Sequence, residues 1–212
     1  MKQLFTLLAL FWSIAADIPS MDERKKLVEL HAQLRESVEP PASNMLMMAY
    51  SSELEALVNA WMANCSTDPP RPDAFSNEAS LISKYTQGKR PTLFDEMALL
   101  SQQKELYNYA DDKCSSFCYY YKQMVWATSG VFGCAQQHCG YMPDLSTPIY
   151  LTACLYVPPG NSLYERPYRS GQSCSECPGG SICYRKQCVS ASTTLTVLGF
   201  LELLVVISHL AI

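Results

Sequence analysis

The stretch Cys118 to Ala135, CYYYKQMVWATSGVFGCA, decides how this chain is read. From Tyr119 to Ala127, aromatic and apolar residues alternate with Lys122 and Gln123 at a spacing that predicts a short helix. Gly130 interrupts that pattern, and VFGCAQ, a β-branched and aromatic run, predicts a strand directly after it. A helix that turns into a strand within one segment implies mixed α and β structure. The rings of Phe117, Tyr119, Tyr120, Tyr121, Trp126 and Phe132 suit either core packing or a recognition surface, and at this level both readings stand.

Upstream of this stretch the pattern is helical. In DERKKLVELHAQLRESV, Leu27, Leu30 and Leu34 form one apolar stripe, with Pro40 and Pro41 beyond it. Ser51 or Ser52 can cap a second helix whose Leu54, Leu57, Val58, Trp61 and Met62 share a face. Ser66 to Ser80 is a proline-rich loop, and Leu93 to Tyr107 predicts a third helix. Downstream, IYLTACLYV predicts another strand. From Asn161 the chain becomes loop-like, and CSECPGGSICYRKQC, Cys174 to Cys188, denotes a separate small disulfide knot.

Both termini are apolar. Residues 1–16, MKQLFTLLALFWSIAA, have the charge, apolar core and small-residue cleavage site of a secretory signal peptide. Residues 190–212 run from the small residues Ser190, Ala191 and Ser192 into an apolar tail with no Lys or Arg after it. That pattern fits a glycolipid-anchor signal with attachment at one of those three residues, the alternative being a tail-embedded helix. About 175 residues remain between the ends, enough for one domain and a small appendage. All ten cysteines fall there, an even number that in an exported chain predicts five disulfides. A net charge of −4 provides no basic field for nucleic acid.

Four stretches, LVELHAQLRESVEPPASNMLMMAYSSEL, the helix end at Trp61 to Cys65, KQMVWATSGVFGCA and YLTACLYVPPGN, together resemble the CAP superfamily of cysteine-rich secretory, antigen-5 and pathogenesis-related proteins. Arg166 to Cys188 resembles the cysteine-rich hinge that follows the domain in part of that family. The resemblance implies an α+β fold, an α-β-α sandwich with a central antiparallel sheet, over residues 17–161, and a hinge over 162–189. It further implies the bridges Cys65–Cys139, Cys134–Cys154, Cys114–Cys118, Cys174–Cys183 and Cys177–Cys188.

Many members of that family hold a metal with two histidines and two glutamates in an open cleft. Carried over by position, these four become His31, Glu78, Gln103 and Tyr120. His31 also lies on the apolar stripe, so a hydrogen-bonded core histidine is the competing reading. An amide and a phenol replace two of the ligands and hold zinc poorly. The expectation is therefore no catalytic residue, no cofactor and a degenerate metal cleft at most. The function expected is a non-enzymatic interaction module at the extracellular face of the plasma membrane, with a protein partner. The alternatives are a sterol or fatty-acid carrier, with Met45, Met47 and Met48 lining a groove, and a zinc-dependent hydrolase.

Overall fold

The computed structural model describes residues 18–65, 79–141, 147–162 and 165–190. The first helix, α1 (Met21–Glu36), opens on a capping box: the Ser20 side chain accepts from Glu23 N and the Glu23 carboxylate accepts from Ser20 N. It ends at Ser37, ahead of Pro40. Strand β1 (Ala49–Tyr50) leads into α2 (Ser52–Met62), capped by the Ser51 hydroxyl. On α2, Val58 and Met62 are buried whereas Leu57 points to solvent, so the buried face is narrower than the apolar spacing suggests.

Strand β2 (Ser80–Gln87) was not legible in the sequence, because its inward positions are Ser80, Ile82 and Lys84, the last paired with Glu96 at 3.0 Å instead of packed against apolar groups. Helix α3 (Leu93–Ser101) is shorter than predicted. A 3₁₀ turn (Gln102–Leu106) follows, and Tyr107 belongs to β3 (Tyr107–Asn108), which pairs with β4 (Lys113–Cys114). Helix α4 (Tyr119–Met124) likewise stops three residues before Ala127. Strands β5 (Val131–Tyr141) and β6 (Pro148–Val157) form the long central pair.

The main sheet has the order β1-β5-β6-β2. Its centre is antiparallel, as expected, through β5, β6 and β2, and the two-residue β1 adds a parallel edge to β5 that makes the whole sheet mixed. Two residues suffice to add that edge and are too few to show a strand period. Alternation along β6 divides the core into two layers. Leu151, Ala153 and Leu155 pack with Val58 and Met62 of α2, while Cys154 and Tyr156 face Leu27, Met97 and Met124 of α1, α3 and α4. Gly133 is required where β5 passes under α2: a Cβ there would lie 2.4 Å from Glu55 N.

Arg35 is fully buried without a carboxylate partner among the described residues. Its guanidinium donates to the carbonyls of Leu46, Met124, Trp126, Ala127 and Ser129, joining the chain after α1 to the end of α4. Burial lowers its pKa to about 9, which still leaves it charged at neutral pH. Disulfides join Cys65 to Cys139, Cys114 to Cys118, Cys134 to Cys154, Cys174 to Cys183 and Cys177 to Cys188.

The cysteine-rich segment is not separate from the domain, and its loop-like character extends only as far as Gly180. It forms a hairpin, β7 (Ser181–Tyr184) and β8 (Gln187–Ser190), whose inner strand is stitched to the domain by Cys188 N donating to Met45 O and Met47 N to Cys188 O. Tyr168 packs with Val38, Met45, Tyr121 and Val125, and Arg185 pairs with Glu29 and Glu36 of α1. Among the described residues no helix is long and apolar enough to cross a membrane. The leader, residues 1–16, and the tail beyond Ser190, with Ala191 and Ser192, lie outside the described residues.

Candidate functional site

Gln103 and Tyr120 meet where the 3₁₀ turn faces the start of α4. The Gln103 Oε1 accepts from the backbone N–H groups of Tyr120, at 3.1 Å, and Tyr121, at 3.3 Å. The amide thus caps a helix whose own N-cap residue, Cys118, supplies no side-chain bond. Tyr120 is half-buried, and its hydroxyl donates to Ser83 O of β2 at 2.7 Å. Burial raises its pKa further, so the phenol stays protonated at neutral pH.

Asn161 completes the assembly: its Nδ2 donates to Tyr119 O at 3.0 Å and to Gln123 Oε1 at 3.3 Å. Gln123 Nε2 donates in turn to Ser129 Oγ, which donates to Pro158 O. Gly160 lets this loop lie against Trp126, since a Cβ would sit 2.5 Å from the indole Cγ. Sequence reading passed over Ser83 and Asn161. A backbone carbonyl on an unrecognised strand leaves no sequence signal, although Asn161 closes the motif YLTACLYVPPGN.

His31 is placed elsewhere, in the core, which corrects its assignment to a cleft. It has no exposed surface, and its ring lies 4.1 Å from that of Phe132, centroid to centroid. Because a carbonyl only accepts, the 2.8 Å contact with Leu27 O places the proton on Nδ1; Nε2 then accepts from the Tyr156 hydroxyl at 3.0 Å. Burial lowers its pKa to about 4, so the ring is neutral with both nitrogens engaged. Glu78 lies outside the described residues.

A divalent metal finds little here among the described residues. Gln103 already accepts two N–H groups, the Tyr120 hydroxyl is committed to a backbone oxygen, and His31 is sequestered. None of the three fits as a zinc ligand as placed. Two rings are exposed above the assembly, Phe117 and Tyr119, in and beside the loop closed by Cys114–Cys118. Met45 and Met48, candidates for a lipid groove, are buried in the core.

A mixed sheet between helical layers, cross-linked by five disulfides and continued by a docked cysteine-rich hairpin, defines a disulfide-stapled α+β scaffold. Residues 28–156 match the model of the cysteine-rich secretory protein (CAP) family, and the chain belongs to that family. It is 34% identical over 172 residues to peptidase inhibitor 16 of Bos taurus, covering 80% of this chain and 36% of that protein. It is 33% identical over 184 residues to glioma pathogenesis-related protein 1 of Mus musculus, covering 84% and 69%. The chain thus spans little more than a third of the first of these relatives. Among solved structures, that of NaASP2 with Zn2+ superposes with a TM-score of 0.62 at 22% identity, covering 82% of this chain and 100% of that one; at such identity the likeness concerns the fold.

Proposed function

We propose that this chain is a non-enzymatic recognition module of the CAP family, exported and held at the extracellular face of the plasma membrane by its C-terminal tail, where the stapled sandwich presents a surface to another protein. The observation that carries this reading is the use made of Gln103 and Tyr120. Gln103 ties the 3₁₀ turn to α4, Tyr120 ties α4 to β2, and neither offers a general base, nucleophile or charged ligand. Export is supported by the disulfides, and anchoring by the small residues and apolar run that follow β8. The relatives' names include peptidase inhibitor 16, which is compatible with a protein partner. The zinc named for the NaASP2 structure is not carried over, because His31, Gln103 and Tyr120 are each engaged within this protein.

The test uses the full chain expressed on cells. A phospholipase specific for phosphatidylinositol releases it, and the labelled product is titrated onto potential target cells. Saturable binding that survives a chelator and disappears when the target cells are treated with protease is the expected result. Binding that never saturates, or zinc-dependent hydrolysis by the released protein, contradicts the reading.

A further inference from the structure

The hinge hairpin exposes two large apolar side chains, Ile182 at 45% and Tyr184 at 58% of their surface. Two residues apart on β7, they project from one side of the strand. The turn leading into β7, Pro178 to Gly180, is also exposed, and no charged residue stands between Glu176 and Arg185. Strand β8 is uncharged as well. At the tip, Arg185 is drawn back by Glu29 and Glu36 of α1, at 2.8 Å each, while Lys186 is exposed.

This patch lies at the exit of the chain from the fold. Ser190, the last residue of β8, pairs with Ser181, and its neighbour Val189 pairs with Ile182. Tyr184 lies three register steps from Ser181, about 10 Å along the strand. Beyond Ser190 the sequence continues through a few small polar residues into the apolar run from Leu195 to Ile212.

We infer that this hairpin is a bilayer-contact surface, with Ile182 and Tyr184 seated among the phospholipid headgroups and Lys186 reaching for their phosphates. The inference rests on the anchoring reading above. A glycolipid attached at Ser190, Ala191 or Ser192, next to the end of β8, keeps the hairpin within a nanometre or two of the membrane, so these side chains meet lipid at a high effective concentration. Tyrosine, with an apolar ring and a polar tip, and lysine, with an apolar stem, suit that zone. Two side chains cover too little area for a stable protein interface on their own, but they suffice to orient a domain that is already tethered.

The anchored protein, extracted from cell membranes in detergent, is reconstituted into phosphatidylcholine vesicles, with or without bromine on the upper acyl carbons, carrying a tryptophan reporter at the patch. Tyr184→Trp and, independently, Ile182→Trp serve as reporters, with Leu57→Trp on the exposed side of α2 as the distant control. The expected result is flotation with the vesicles, together with bromine-dependent loss of fluorescence at positions 182 and 184 beyond the wild-type background, and none added at 57. Flotation without added quenching at 182 and 184 overturns the inference and leaves the anchor standing. A chain that fails to float removes the anchor and the inference together. Concentration-dependent dimerisation that buries the reporters without lipid also overturns it.

Discussion

A single buried imidazole shows how much a residue's role depends on what surrounds it. His31 is neutral because burial lowers its pKa to about 4, against 6.5 for an unperturbed ring. As pH falls, the unfolded chain takes up the proton first. The stability that His31 contributes is therefore complete above about pH 6.5 and is lost progressively towards pH 4, by up to ~3 kcal/mol. Urea unfolding across that window is expected to show the decline, and His31→Gln to flatten it; an unchanged slope in the variant contradicts the core placement. Arg35 makes a second prediction at this scale. Arg35→Met leaves several buried carbonyls without a donor and is expected to cost roughly 3 kcal/mol or more in urea unfolding. The sequence showed His31 on an apolar stripe, but the stripe alone does not tell a ligand from a core residue, because the deciding partner, Tyr156, lies far along the chain on β6.

At the scale of elements, caps and cross-strand partners explain what was legible. Helices α1 and α2 carry their own signals, Ser20 with Glu23 and the hydroxyl of Ser51, and were readable. Helix α4 borrows its cap from Gln103, 17 residues upstream of Tyr120, so its start has no local signature beyond the aromatic run. Gln103→Ala is expected to lower stability by about 1 kcal/mol, while Gln103→Glu, which keeps an acceptor at the helix start, retains it; denaturant titration of the two variants checks this. Equal loss in both would mean that the amide's donors matter more than its acceptor. Strand β2 was missed because Lys84 occupies an inward position that only its partner Glu96 on α3 explains. The hinge hairpin was missed because its turn, Arg185-Lys186 at φ 51° and 56°, uses left-handed conformations without glycine or asparagine to announce them.

For the whole molecule, the α+β class, with helices about a central sheet and a disulfide-rich segment after it, followed from period and resemblance. The docking of the hinge did not, since it depends on backbone bonds such as Ser43 N to Arg169 O and Ala127 N to Pro167 O that carry no side-chain pattern. With Tyr168, Cys188 and Arg185 all packed on the domain, hinge and sandwich are expected to unfold together in one transition reported equally by tryptophan fluorescence and by amide exchange of β7 and β8. An earlier, separate loss of protection in the hairpin contradicts that coupling. The function proposed depends on the same economy, in which Gln103 and Tyr120 hold the architecture together instead of gripping a cation. Calorimetric titration of the purified, metal-free protein with zinc tests this most directly. The account predicts no saturable uptake at micromolar zinc and less than ~0.1 ion per chain after dialysis. One tightly held zinc per chain, lost in Gln103→Ala or Tyr120→Phe, would contradict it.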